Sequence, residues 1–203
     1  MRLKAYLVAV GMILLFVSPA SAELTTGQWL VGGGGGLLLP TGDYHDLGKA
    51  GYNLGLRVDY MATPELAVGA DLGYSRNDFS SDFVTLLELF SGGTAEGHYT
   101  IMQYTAHATA LLSPGQKVRP YFTAGAGVYN FKASVTASAL GTSVSGEDGE
   151  TKGGVNGTVG MLIEAGTSAH VGIEASYHDI FTSGSSVTYA NIRALVMFSV
   201  GGK

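Results

Sequence analysis

The sequence predicts an all-β fold: an eight-stranded antiparallel up-and-down transmembrane β-barrel with short periplasmic turns and longer external loops. Three observations carry this. Segments of about ten residues alternate apolar and polar side chains with period two, as membrane strands do. The chain is 46% apolar and only 13% charged, whereas soluble chains average about 25% charged. Beyond the N-terminus, no stretch has the ~20 consecutive apolar residues of a spanning helix. Strands that show lipid only every second residue reconcile these facts.

The N-terminus reads as an export signal. Arg2 and Lys4 precede an uncharged apolar run from Ala5 to Val17, and Ala20-Ser21-Ala22 supplies a small-x-small cleavage site. The apolar run is short for a membrane anchor. Residues 1–22 are therefore expected to be a cleaved signal peptide, and residues 23–203 a single barrel domain.

The first strand is the glycine-rich run from Gln28 to Leu39. The second is the clearest: Tyr52, Leu54, Leu56, Val58 and Tyr60 form an apolar face with a tyrosine at each end. Asn53, Gly55, Arg57 and Asp59 form the other face. In the third, Leu66, Val68, Ala70, Leu72 and Tyr74 oppose Gly69, Asp71 and Gly73. In the fourth, Thr100 to Ala110 sets Met102, Tyr104 and Ala106 against Gln103, Thr105 and His107. The fifth sets Phe122 to Val128 against Tyr121 to Gly127. The sixth sets Val159, Met161 and Ile163 against Thr158, Gly160 and Glu164. The seventh sets Val171 to Tyr177 against Gly172, Glu174, Ser176 and His178. The last sets Ile192 to Phe198 against Asn191, Arg193 and Met197.

Connections between these segments alternate in length. Residues 40–50, 77–97 and 133–153 read as long loops, whereas 62–65, 113–119 and 166–169 are short; 182–186 is intermediate. Tight turns on one side and longer loops on the other fit a membrane barrel better than a soluble lipocalin-like one. Thirty-one glycines sit between branched apolar residues without a collagen period, and on the polar face they leave room for Arg, Tyr and His.

Three stretches carry a family resemblance: Val31 to Asp43 (VGGGGGLLLPTGD), Arg119 to Phe131 (RPYFTAGAGVYNF) and the closing Arg193 to Phe198 (RALVMF). With these, the mature chain resembles the small outer-membrane β-barrel family, which includes OmpA-type transmembrane domains and opacity-like porins. The resemblance implies export to the bacterial outer membrane, contact with its lipid, and handling by the barrel-insertion machinery. Such barrels usually end on an aromatic residue, whereas here five residues follow Phe198.

Few enzyme chemistries fit. With no cysteine, thiol catalysis and cysteine metal sites are excluded. A net charge of −5 argues against a nucleic-acid partner. Gly32 to Gly36 is followed by Leu37 where a dinucleotide fingerprint needs glycine, and no helix follows. His45, His98, His107, His170 and His178 lack the spacing of a metal pair. His178-Asp179 beside Ser176 evokes a hydrolase, but without an oxyanion donor a hydrogen-bonded lumen histidine is the plainer reading, as it is for His107. No cofactor is expected.

Charge on the lumen face is the sharper signal. Arg57, Asp59, Asp71, Glu164, Glu174 and Arg193 share it. Buried charges must pair, because an isolated one costs several kcal/mol. A salt-bridge plug is expected ahead of a charged pore, since an eight-stranded barrel is just filled by side chains. In the second long loop, Phe83 to Phe90 is apolar, which makes Phe83, Leu86, Leu87 and Phe90 candidates for extending the wall, covering the mouth or meeting an unknown partner. Glu147, Asp148 and Glu150 read as a solvated loop tip rather than a cation loop. The function expected is a non-enzymatic structural or surface-interaction barrel. The alternatives are a small-solute pore, then a lipid-modifying enzyme or a soluble ligand binder.

Overall fold

A computed structural model describes residues 24–139, 142–182 and 186–201. The expected signal peptide, residues 1–22, lies outside them. Eight strands run β1 Trp29–Thr41, β2 Gly51–Met61, β3 Leu66–Asp78, β4 Thr94–Leu111, β5 Val118–Ala139, β6 Thr142–Glu164, β7 Ala169–Phe181 and β8 Ser186–Val200. Each pairs antiparallel with its sequence neighbours, and β1 pairs with β8 to close the barrel. Two helices, α1 Asp43–Leu47 and α2 Ser81–Ser91, sit in the first two long connections.

Alternation becomes geometry as expected. Arg57, Asp59, Asp71, Glu174 and Arg193 are buried in the lumen, while Leu54, Leu56, Val68, Leu72, Phe122, Val159, Ile173 and Ile192 are exposed on the outer wall. Aromatic pairs mark the two rims of this apolar band. Trp29 and Tyr60 lie 5.0 Å apart at the end bearing the short turns, and Tyr52 and Tyr74 lie 6.2 Å apart at the loop end.

The glycine run has a packing reason at the closing seam. A Cβ at Gly32, Gly34 or Gly36 would run into the β8 backbone at Val196, Ala194 or Ile192. Without side chains at these positions, β1 closes flat against β8. The short turns hold themselves: the Thr63 hydroxyl accepts from the Leu66 amide at 3.1 Å, and the Ala165 amide donates to the Ala169 carbonyl at 2.8 Å.

The third long connection departs from expectation. Residues 133–153, read as a loop, instead continue β5 and β6 as a hairpin well beyond the aromatic rim, paired in register out to Ala139↔Thr142. Gly146, Asp148 and Gly149 look like turn residues, but they pair with Val135, Ala133 and Lys132 of β5. Cross-strand contacts complete the ladder: Asn130 Nδ2 donates to Thr151 Oγ1 at 2.9 Å, Lys132 Nζ to Glu147 Oε1 at 2.8 Å, and Ser138 and Ser143 hydroxyls meet at 2.8 Å.

A second correction concerns residues 77–97. β3 runs to Asp78 and β4 starts at Thr94, leaving α2 between them. Ser80 caps α2, its hydroxyl accepting from the Phe83 amide at 3.2 Å while donating to the Asp46 carbonyl at 2.6 Å. Gly92 ends the helix in the left-handed conformation, at φ 65°.

Candidate functional site in the lumen and its cap

The lumen side chains are arranged in layers. At the turn end, an apolar floor gathers Leu24, Leu30, Met61, Ala67, Leu111, Leu162, Leu195 and Met197 around the ring of Tyr121. Between floor and charged layer is a cavity of about 20 Å³ lined by Leu30, Arg57, Tyr121 and Met197, room for roughly one water.

Above the floor, charged side chains from five strands form a closed ring. Arg57 Nε donates to Asp59 at 2.7 Å, and Arg57 Nη1 lies 3.5 Å from Glu174. Glu174 lies 2.6 Å from Arg193, whose Nη2 reaches Asp71 at 3.0 Å. His107 closes the circuit, with Nε2 2.7 Å from Asp59 and Nδ1 3.2 Å from Asp71. The second of these is an ion-pair contact rather than a straight hydrogen bond. Acid and base thus alternate around the ring: three carboxylates, two guanidinium groups and one imidazole. With both ring protons on His107, these charges sum to zero. Hydroxyls complete the shell, as Tyr121 donates to Glu174 at 2.5 Å and Arg57 Nη2 donates to Thr109 at 2.7 Å.

Five of the six charged residues expected together are in the ring. Glu164, placed with them by its face alone, lies nearer the turn end and pairs with Arg119 at 3.1 Å. Facing is a period-two property and carries no height along the barrel axis, so the pattern could not separate the two groups. His107, expected as a hydrogen-bonded lumen histidine, is one, and its partners Asp59 and Asp71 make it a member of the ring. Register would have flagged it, because it sits between Gly69 of β3 and Gly125 of β5. A Cβ at Gly69 would stand 2.7 Å from Asp59 Oδ1 and 2.8 Å from His107 Nε2, and one at Gly55 would strike the Arg193 guanidinium. These glycines are the space that the ring occupies.

Ser176 and His178 lie above the ring, their side chains 3.0 Å apart. The His178 ring stacks on Tyr189 at 4.5 Å, and its Nδ1 lies 3.2 Å from the Tyr129 hydroxyl. Asp179 belongs to the opposite face of β7 and does not orient this histidine.

An aromatic cap covers the loop end. Leu38, Tyr44, Phe79, Tyr99, Ile101, Tyr129, Ile180 and Tyr189 are buried there, with Phe83, Val84, Leu87 and Phe131 packed against them. Tyr44, delivered by α1, donates to Asn77 at 2.6 Å, and burial pushes its phenol well above the ordinary range. The four candidate loop residues therefore divide. Phe83 and Leu87 pack into the cap, whereas Leu86 and Phe90 are exposed, Phe90 by 81%.

A family model described as the outer membrane protein beta-barrel domain matches residues 7–199. The chain belongs to this family. The outer-membrane barrel accordingly resides in the bacterial outer membrane, with its apolar outer wall in lipid, its short turns periplasmic and its helices and long hairpin external. Among solved structures it is similar to Ail, the attachment invasion locus protein of Yersinia pestis, at 15% identity and TM-score 0.57, covering 87% of this chain and 100% of that one. It is also similar to Neisserial surface protein A at 13% identity and TM-score 0.53, covering 87% and 99%. At such identities the likeness is one of fold. No curated protein sequence matches the chain.

Proposed function

We propose that this outer-membrane barrel is a non-enzymatic, non-conducting surface protein whose lumen is plugged and whose external parts meet a partner. The observation that carries this is the closed ring of Arg57, Asp59, Asp71, His107, Glu174 and Arg193, set between an apolar floor and an aromatic cap. Ions entering from outside would have to displace the cap, break a buried ring and then cross an apolar floor. Each step is unfavourable, because a buried charge that loses its partner costs about 3–5 kcal/mol. Residues 1–22 are the export signal in this reading, and the barrel-insertion machinery receives the mature chain.

The external parts supply a rigid platform. α1 and α2 are tied together by the Ser80 amide donating to the Leu47 carbonyl at 2.8 Å, and the β5–β6 hairpin rises beside them. Ail has been solved with the heparin analogue sucrose octasulfate. That ligand is a polyanion, whereas this chain's external surface is acidic, with Asp43, Asp46, Asp82, Glu96, Glu147, Asp148 and Glu150 outnumbering Lys49, Arg76, Lys132 and Lys152. A polyanion is disfavoured as its ligand.

Proteoliposome swelling tests the plug. Vesicles carrying the purified barrel should admit small sugars no faster than empty vesicles. Uptake that rises with protein content would reverse the reading in favour of a pore.

A further inference from the structure

The proposal above leaves the partner's chemistry open, and the external surface carries a specific arrangement that bears on it. Between α2 and the β5–β6 hairpin lies an external groove of about 350 Å³, within the size range of small binding clefts. Its wall is apolar, formed by Phe79, Phe83, Leu87, Tyr99, Ala133 and Val135, and Glu147 and Asp148 stand at its lip.

The apolar wall does not end at the groove. Phe83, Leu86, Leu87 and Phe90 fall at positions i, i+3, i+4 and i+7, so they form one stripe along α2. The stripe starts half-buried at Phe83, whose ring packs 5.1 Å from Phe79, and emerges at Phe90. Leu89, 79% exposed, widens it.

Three kinds of occupant can be weighed by charge and position. Bilayer lipid does not reach the groove, since this part of the hairpin rises beyond the aromatic rim and Ala133 and Val135 alternate on β5 with the outward-facing Lys132 and Ser134. A second copy would bring the same acidic lip against itself, as Glu147 and Asp148 would face their own equivalents. A segment with apolar side chains flanked by lysine or arginine meets both requirements. Its apolar residues extend the stripe, and its cations face Asp148, which is exposed and whose carboxylate has no ion pair or hydrogen bond among the described residues. Glu147, by contrast, is already bound to Lys132 at 2.8 Å, which holds its carboxyl below the usual range.

We infer that the groove between α2 and the β5–β6 hairpin receives a basic, apolar peptide segment of a partner protein. This rests on the surface-interaction reading of the barrel.

The test uses the full chain in phosphatidylcholine nanodiscs and three fluorescent peptides, read by anisotropy. One has a Phe/Leu centre flanked by lysines, the second the same centre flanked by glutamates, and the third a serine centre flanked by lysines. The first should bind at least about tenfold more tightly than either of the others, with an affinity that falls as salt rises. Phe90→Ser and Asp148→Lys alter exposed residues, so both should leave the fold intact while weakening that binding. Equal binding of the acidic peptide, no binding of the basic apolar one, or full affinity in both variants would overturn the inference. Swelling of vesicles by the same preparation reports separately on the plug. A silent barrel that fails to bind leaves the plugged-barrel reading standing and removes only the groove's role.

Discussion

At Gly69 a single methyl group decides whether the lumen ring can assemble. Its Cβ would meet the Val58 carbonyl, Asp59 and His107 together, and backbone cannot yield as a side-chain tip can. Gly69→Ala should therefore destabilise the barrel by about 1–3 kcal/mol, the usual cost of overpacking a filled interior. Arg193→Met should cost more, about 3–5 kcal/mol, because it leaves Asp71 and Glu174 facing each other without their shared cation. Urea unfolding in lipid vesicles, followed by the fluorescence of the single tryptophan, Trp29, measures both. Wild-type stability in either variant would mean that the ring does not hold the lumen together. These residues also show what sequence can and cannot resolve. Period-two alternation put Arg57, Asp59, Asp71, Glu174 and Arg193 on one face, but it could not separate Glu164 from them or reveal that His107 completes the ring. Both facts depend on the register between strands, which is a property of pairs.

Among the elements, the strands that cross the membrane were the most legible, because lipid on one side and a filled lumen on the other impose a strict two-residue period. The external elements escape that constraint. Gly146 to Gly149 carries turn-forming residues yet pairs as strand, since hydrogen bonding to β5 outweighs the local preference. The apolar run Phe83 to Phe90 has the i, i+3, i+4, i+7 spacing of a helix, a signal that the two-residue period of the strands does not carry. Ser80 is the residue that would have located the helix start. Ser80→Ala removes both the cap bond to Phe83 and the tie to Asp46, and should weaken α2 by about 1 kcal/mol. Hydrogen exchange checks this: the α2 amides should lose roughly fivefold protection, the equivalent of that energy, while β2 and β3 amides keep theirs. Faster exchange spread evenly over the barrel would place α2 within the folding unit of the wall.

At the scale of the whole molecule, closure is the organising fact. The β1–β8 pairing removes the sheet edges, the aromatic pairs Trp29–Tyr60 and Tyr52–Tyr74 mark the rims of its apolar band, and the floor, ring and cap follow one another along its axis. Closed hydrogen bonding makes such a barrel resist detergent. The unheated protein is expected to migrate differently from the boiled one on a detergent gel, and identical mobility would contradict closure. The lumen is the point on which the proposed function turns. Single-channel recording in planar bilayers addresses it directly: the ring, floor and cap predict a silent barrel under applied voltage, whereas stable, discrete conductance steps from the purified protein would show an open path through the lumen.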